Sequence, residues 1–175
     1  MKKKSLAHLG LLVAAALLWT GCGSDKNTEP TVDVILRGVS PPSANLSVNP
    51  PQTQLTYFVF QVRLSDPSMS LVPADSWTID SYDVSYTLVS DPGRHLTALP
   101  EDYTEKTNHK ISPGFPSRYP VTIVTAAYMR DNAQGFIGTA DTATIKTHVL
   151  FRVHRNKDGY AKTLQGNFTL NIGNF

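Results

Sequence analysis

The chain has 175 residues, and its 16 Lys and Arg against 14 Asp and Glu give a formal net charge of +2. Three of those cations are Lys2 to Lys4, so residues 22–175 alone carry a formal charge of −1. A near-neutral chain without a basic cluster excludes nucleic-acid binding through a cationic surface, and we predict no nucleic-acid partner.

The first 21 residues have the layout of a secretory signal peptide. Lys2 to Lys4 supply a basic start, Leu9–Trp19 is an apolar run, and small residues precede Cys22. The run is too short for a transmembrane helix, which needs about 20 apolar residues. We therefore predict a cleaved signal over residues 1–21. An ordinary signal with a free cysteine and an uncleaved anchor are the alternatives.

The only cysteine of the chain lies at the predicted cleavage point. The stretch Leu18-Trp19-Thr20-Gly21-Cys22 resembles the lipobox of bacterial lipoproteins, although Trp19 stands where that family usually has Leu. The resemblance implies cleavage before Cys22 and a diacylglycerol on its sulfur. Two or more acyl chains anchor a protein firmly to a membrane. Gly23 after the cysteine implies, by the same resemblance, the outer membrane.

The rest of the chain divides into a tether and one domain. Residues 22–30 are short and polar without apolar periodicity, which is typical of a flexible linker. Residues 31–175 are the right length for a single domain.

Within that domain the apolar residues alternate with polar ones, as they do in half-buried strands. Turn signals containing Pro, Gly, Asn and Asp separate these runs, and no stretch of ten or more residues has a helical stripe. We therefore predict an all-β domain. The predicted strand regions are Val32–Leu36, Thr56–Leu64, Trp77–Ser90, Val121–Met129, Ile145–Val153 and Phe168–Ile172.

Two similar stretches, Arg130–Phe136 and Arg155–Tyr160, are interpreted as the turns of two hairpins with glycine at positive φ. The closing hairpin, Ile145–Val153 followed by Thr163–Ile172, resembles the last two strands of immunoglobulin-like and fibronectin type III domains. That resemblance implies a β-sandwich of about 7–9 antiparallel strands. The absence of a Cys–Trp–Cys signature excludes an antibody-type domain. Tyr82 or Tyr86 forms either a tyrosine corner or an ordinary core contact.

The segment Pro100–Pro120 is the strongest candidate for a binding loop. It has four prolines, no strand pattern, and the aromatic and Arg residues that are common at interaction hot spots. The alternative is a crossover between sheets whose aromatics fill the end of the sandwich. The candidate partner-binding residues are Tyr103, His109, Phe115, Arg118 and Tyr119.

No motif predicts a metal, a cofactor or catalysis. The turn Asn156–Gly159 lacks two of the oxygen ligands of a calcium loop. His148 and His154 are about 20 Å apart along one strand, too far for one ion. Asp80 and Asp83 are expected to point to opposite faces of a strand, which excludes a glycosidase pair.

The sequence thus predicts a non-enzymatic, lipid-anchored protein of the cell envelope. Its immunoglobulin-like domain is expected to present the Pro100–Pro120 loop to a protein or glycan partner. The second hypothesis is an accessory subunit of an envelope complex that pairs through a sheet edge.

Overall fold

The computed structural model describes residues 32–175. The predicted signal peptide of residues 1–21, the predicted lipidation site Cys22 and the predicted tether of residues 22–30 lie outside the described residues. Strands dominate the described part, which confirms the all-β prediction. They are accompanied by one α-helix, α1 (Ala126–Asn132), and two short 3-10 helices, Pro73–Asp75 and Gln134–Phe136. The strands of residues 32–175 are β1 (Val32–Ser40), β2 (Ser43–Ser47), β3 (Gln54–Leu64), β4 (Trp77–Ser90), β5 (Tyr103–Ile111), β6 (Ser117–Val124), β7 (Thr142–Arg155) and β8 (Ala161–Gly173).

The strands form two sheets. A three-stranded sheet has the order β1-β3-β6, and a five-stranded sheet, which curls into a half-barrel, has the order β2-β8-β7-β4-β5. Neighbours pair antiparallel, except that β2 runs parallel to β8, a pair that the prediction did not include. The chain changes sheets at Pro41 and Pro42, which have no N–H group to donate to either sheet.

The hydrophobic core lies between the sheets and follows the predicted period of two. On β3 the side chains of Thr56, Phe58, Phe60 and Val62 are buried, as the alternation predicts. Phe151 of β7 packs against two of them, with ring centroids 5.0 Å from Phe58 and 4.9 Å from Phe60. These edge-to-face contacts join the two sheets.

The closing hairpin is confirmed. Strands β7 and β8 pair along their whole length, from Thr142 opposite Gly173 to His154 opposite Ala161. Gly159 in the turn has a φ of +73°, a conformation that glycine adopts without steric cost.

The predicted strand Val121–Met129 is wrong in its second half. Strand β6 ends at Val124, and the Thr125 hydroxyl accepts a hydrogen bond of 3.2 Å from the Tyr128 amide, which caps α1. The alternation of apolar residues suggested a strand, but the buried residues in this region lie four and then three positions apart, as they do in a helix. The buried residues at that spacing are Met129, Ala133 and Phe136.

The stretch Arg130–Phe136 is therefore not a hairpin turn. It contains the end of α1 and the second 3-10 helix. Gly135 is required here by close approach, because a Cβ atom at this position would lie 2.8 Å from the carbonyl oxygen of His95. The two stretches have similar residues but different structures, because the first ends a helix and the second forms a hairpin turn.

The chain enters the domain at one end of the sandwich. Val32 pairs with Leu64, and its carbonyl oxygen accepts a hydrogen bond of 3.3 Å from Arg155. Trp77, at the start of β4, pairs with Arg155 and with Ile111. We call this end, which also includes the loop of residues 112–116, the Val32 end.

Within residues 32–175 no helix has the length and hydrophobicity to cross a bilayer.

Candidate functional site

The segment Pro100–Pro120 is not a loop, which corrects the prediction. It contains all of β5 and the first half of β6, which belong to different sheets and are joined by residues 112–116. The pattern of β5 was hidden because this edge strand is polar on both faces, with Thr104 and Glu105 adjacent. Pro120 lies within β6, where an edge strand tolerates a missing N–H group.

The five candidate residues do not form one surface. Phe115 is 84% exposed at the tip of the connection, and Arg118 is exposed on β6. His109 and Tyr119 pack against each other between the sheets, with ring centroids 5.0 Å apart. Tyr103 lies at the opposite end of β5. The structure therefore brings together only His109 and Tyr119.

His109 is a half-buried histidine rather than an exposed contact residue. Its Nε2 lies 2.9 Å from the hydroxyl oxygen of Ser117. Burial lowers the pKa of His109 below its usual 6.5, which favours the neutral imidazole.

Three tyrosines tie the other end of the sandwich together. Tyr86 and Tyr103, both from the five-stranded sheet, donate hydrogen bonds of 2.6 Å to the carbonyl oxygens of Ile123 and Thr122 on β6. Those carbonyls are accessible because β6 is an edge strand whose register against β3 shifts at this point. Tyr128 of α1 donates to the Ala98 carbonyl at 2.7 Å.

Neither Tyr82 nor Tyr86 forms the tyrosine corner. Tyr86 bonds across to β6, and the Tyr82 hydroxyl donates to the carboxylate of Glu105. Tyr82 is buried and packs against Phe151 with centroids 5.6 Å apart, so it is a core aromatic.

The three tyrosines wall a cleft of about 600 Å³, which we call the tyrosine cleft. Its volume lies within the range of about 300–1,000 Å³ that is usual for ligand sites. It opens at the end opposite Val32, since Val124 pairs with Gln54 at the start of β3 whereas Val32 pairs with Leu64 at its end. The lining residues are Tyr86, Ala98, Leu99, Pro100, Glu101, Tyr103, Glu105, Thr122, Ile123, Val124, Thr125, Tyr128 and Asn132.

The ionisable groups that line the tyrosine cleft are carboxylates and tyrosines, without a Lys, Arg or His. Burial raises the pKa of Tyr103 and of Tyr128 to about 12, and it raises the pKa of Tyr86 as well. Their hydroxyls therefore remain neutral donors at physiological pH. Asp102 adds a further carboxylate nearby, because its Oδ1 accepts the Tyr86 amide at 3.1 Å.

Carboxylates on the outer face of the five-stranded sheet are arranged differently. A bulge in β4 between Ile79 and Ser81 places Asp80 and Asp83 on the same face, which corrects the prediction of opposite faces. Each one has a basic partner on β7. Asp80 lies 2.8 Å from His154, and Asp83 lies 2.5 Å from Arg152.

The partners of Asp83 make this aspartate unsuited to donate a proton in catalysis. The hydrogen bonds from Arg152 and Thr104 hold the pKa of Asp83 below its usual value, so this carboxylate is a poor proton donor near neutral pH.

The positions considered for metals make bonds within the protein. His148 lies 2.7 Å from the side-chain oxygen of Asn167, and Asn156 accepts a 2.8 Å bond from Thr78. Asp158 accepts a 2.9 Å bond from Arg155, a cation that opposes calcium binding at this turn. In the described part of the chain no three His, Cys, Asp or Glu residues converge as a metal site would require.

Comparison of the chain with protein-family models, with curated proteins and with solved structures finds no match.

Sequence reasoning found only Tyr103 among the polar and aromatic residues of the tyrosine cleft. It missed Tyr86, Glu101, Glu105 and Tyr128 as site residues. The alternation along β4 places Tyr86 on the same side as Tyr82, and that is the one signal that could have suggested it. The cleft forms where β5, at the edge of the larger sheet, meets β6, at the edge of the smaller sheet. The alternation of apolar and polar residues does not specify which edge strands meet.

Proposed function

We propose that the chain is a non-enzymatic, lipid-anchored module of the cell envelope, and that it holds part of a protein or glycan partner in the tyrosine cleft. One observation carries the proposal: the cleft opens at the end of the sandwich opposite Val32, where the tether joins the domain. A protein anchored at one end reaches a partner most easily with the other.

The anchor is the lipid on Cys22, in the outer membrane. Nine residues separate Val32 from Cys22, so an extended chain covers the ten steps between them in at most about 36 Å. This length limits the distance of the Val32 end from the bilayer.

The strand order supports an immunoglobulin-like domain as part of the proposal. Strands β1, β3 and β6 correspond in order to A, B and E of that fold, and β4, β7 and β8 correspond to C, F and G. Strand β5 then extends the C–F–G sheet, as the added strand does in variable-type domains. Such domains commonly use their end loops for recognition.

The edge-pairing alternative has less support. Each outer strand of the two sheets has a feature that discourages strand addition. On β1 there is a bulge between Leu36 and Gly38, β2 has five residues, β5 carries Lys106 and Lys110, and β6 contains Pro120.

The anchor is tested by expressing the full chain and its Cys22→Ala variant in a lipoprotein-competent bacterium. We expect the wild type to lose residues 1–21, gain acyl mass and fractionate with the outer membrane, and the variant to do none of these. Equal processed mass and soluble behaviour of both proteins would contradict the lipid anchor.

The cleft is tested by crosslinking in intact cells with formaldehyde. Ala98→Trp places a bulky side chain at the exposed lip of the cleft and keeps the carbonyl that Tyr128 uses, so we expect it to remove the crosslinked partner. Phe115→Ala/Arg118→Ala is the matched comparison, because it tests the surface predicted from sequence and leaves the cleft intact. If the double variant loses the partner and Ala98→Trp keeps it, the cleft is not the binding site.

A further inference from the structure

The carboxylates around the tyrosine cleft form no ion pair within the described residues, unlike several other acidic groups of the domain. Asp33 pairs with Lys162, Asp83 with Arg152 and Asp158 with Arg155. Among residues 32–175 no Lys, Arg or His forms an ion pair with Glu101, Asp102 or Glu105. The tyrosine cleft is therefore a locally anionic site within a nearly neutral domain.

The tyrosine rings also favour a positively charged ligand. The face of an aromatic ring attracts a cation, and sites for organic cations are commonly built from several such rings with an acid nearby. Tyr86, Tyr103 and Tyr128 line the cleft together with Glu101 and Glu105. The three hydroxyls donate hydrogen bonds to backbone carbonyls, and one oxygen of Glu105 accepts the Tyr82 hydroxyl. The rings, the Glu101 carboxylate and the second oxygen of Glu105 therefore remain for a ligand.

Exposed aliphatic residues follow Tyr86 along β4. Leu88 is 43% exposed, and it lies two residues beyond Tyr86 on the same face of the strand, about 7 Å away. Val89 next to it is 61% exposed. Exposed aliphatic groups beside a polar site suit a protein surface better than a sugar, since hydroxyl groups placed there would lose hydrogen bonds to water.

We propose that the tyrosine cleft binds a lysine or arginine side chain of a protein partner, with its stem along the tyrosine rings and its charged end between Glu101 and Glu105. This inference rests on the proposed function and narrows the partner to a protein with an exposed basic side chain. Long cationic side chains suit such a site, because the apolar stem and the charged head can be satisfied separately.

The test uses the full lipidated chain in neutral detergent micelles, with binding followed by NMR. The probes are the capped tripeptides Gly-Lys-Gly, Gly-Arg-Gly and Gly-norleucine-Gly, and the free diamine cadaverine. We expect the Lys or Arg peptide to shift the signals of Tyr103, Glu105 and Tyr128 saturably, with the norleucine peptide weaker by about tenfold. Equal binding of norleucine, or no binding of either cationic peptide, would overturn the inference. Tighter binding of cadaverine than of both peptides would also overturn the inference, because it would identify a free amine rather than a protein side chain as the ligand.

A charge variant provides the second measurement. Glu101→Gln/Glu105→Gln removes both carboxylates, and a glutamine at 105 can still accept the Tyr82 hydroxyl. We expect it to weaken Lys-peptide binding by about fivefold or more. Asp66→Asn/Asp80→Asn removes the same formal charge away from the cleft and is expected to bind like wild type. Equal losses in the two variants would mean that only net charge matters, which overturns the inference.

The same variants separate this inference from the proposed function in cells. If Glu101→Gln/Glu105→Gln keeps the crosslinked partner and Ala98→Trp loses it, the cleft binds a partner without a cation and only the inference fails. If Ala98→Trp also keeps the partner, the proposed function fails with it.

Discussion

The two ends of the sandwich differ in the partners of their carboxylates. At the Val32 end two carboxylates form ion pairs within the domain, Asp158 with Arg155 and Asp33 with Lys162, near the fully buried Trp77. At the cleft end the tyrosine hydroxyls bond to backbone carbonyls, but Glu101 and Glu105 have no cation among the described residues. This difference is the basis of our proposal that the Val32 end has a structural role and that the cleft end binds a ligand.

The largest expected effect is at the Val32 end. Trp77→Ala removes a fully buried indole that packs edge-to-face on Tyr160 at 6.1 Å, and we expect it to cost about 3–5 kcal/mol of the free energy of unfolding. Denaturant unfolding measures this. Leu88→Ala, near the exposed far end of β4, is the control and is expected to cost less than about 1 kcal/mol. Similar costs at both positions would remove the distinction between the ends.

The tyrosine hydrogen bonds predict a smaller effect at the cleft end. Tyr86→Phe and Tyr103→Phe each lose one bond to β6, and we expect each to cost about 0.5–1.5 kcal/mol. Thermal or denaturant unfolding measures the change. Tyr57→Phe on the exposed face of β3 serves as the control, with an expected change within about 0.5 kcal/mol. No change in either cleft variant would mean that the tyrosines do not tie β6 to the larger sheet.

Between the ends, His109 predicts a pH dependence. Its pKa is lower in the folded protein than the usual 6.5 because the ring is buried, so the unfolded chain binds the proton more readily. Its contribution to stability is therefore complete above pH 6.5 and is lost as the pH falls through the folded pKa. We expect His109→Gln to flatten the decline in unfolding free energy below pH 6.5. An unchanged pH profile would contradict the burial of this imidazole.

The smallest expected effect is on the pairing of charges at the Val32 end. The hydrogen bonds from Arg155 lower the pKa of Asp158 from 3.8 to about 2. The stabilising effect is present above pH 3.8 and is lost as the pH falls through about 2. Arg155→Ala should return the pKa of Asp158 toward 3.8, which a carboxyl NMR titration measures directly. A pKa that stays near 2 would mean that another group stabilises the carboxylate.

The parts of the fold that sequence reasoning predicted share a physical property. On β3, β7 and β8 one face is apolar and the other polar, so the period of two identifies both the strand and its buried side. Strand β5 was not predicted because its solvent-exposed edge position leaves both faces polar. Helix α1 was not predicted because seven residues are too few to show a clear helical period.

The tyrosine cleft could not be predicted because its walls come from separate elements. Tyr86, Tyr103 and Tyr128 meet only after β5 joins the larger sheet, β6 joins the smaller sheet and α1 follows β6. The bulge that places Asp80 beside Asp83 is likewise a feature of strand pairing. Register and pairing depend on long-range contacts that a local pattern does not contain.

The most direct measurement of the central claim is site-specific photocrosslinking in intact cells. A photoreactive phenylalanine analogue is placed at Thr97, which is exposed and adjoins Ala98 at the lip of the cleft, and in a separate protein at Lys157, in the turn at the Val32 end. The account predicts an ultraviolet-dependent protein adduct from position 97 that Glu101→Gln/Glu105→Gln reduces, and none from position 157. A protein adduct from position 157 alone would contradict the assignment of the tyrosine cleft as the binding end.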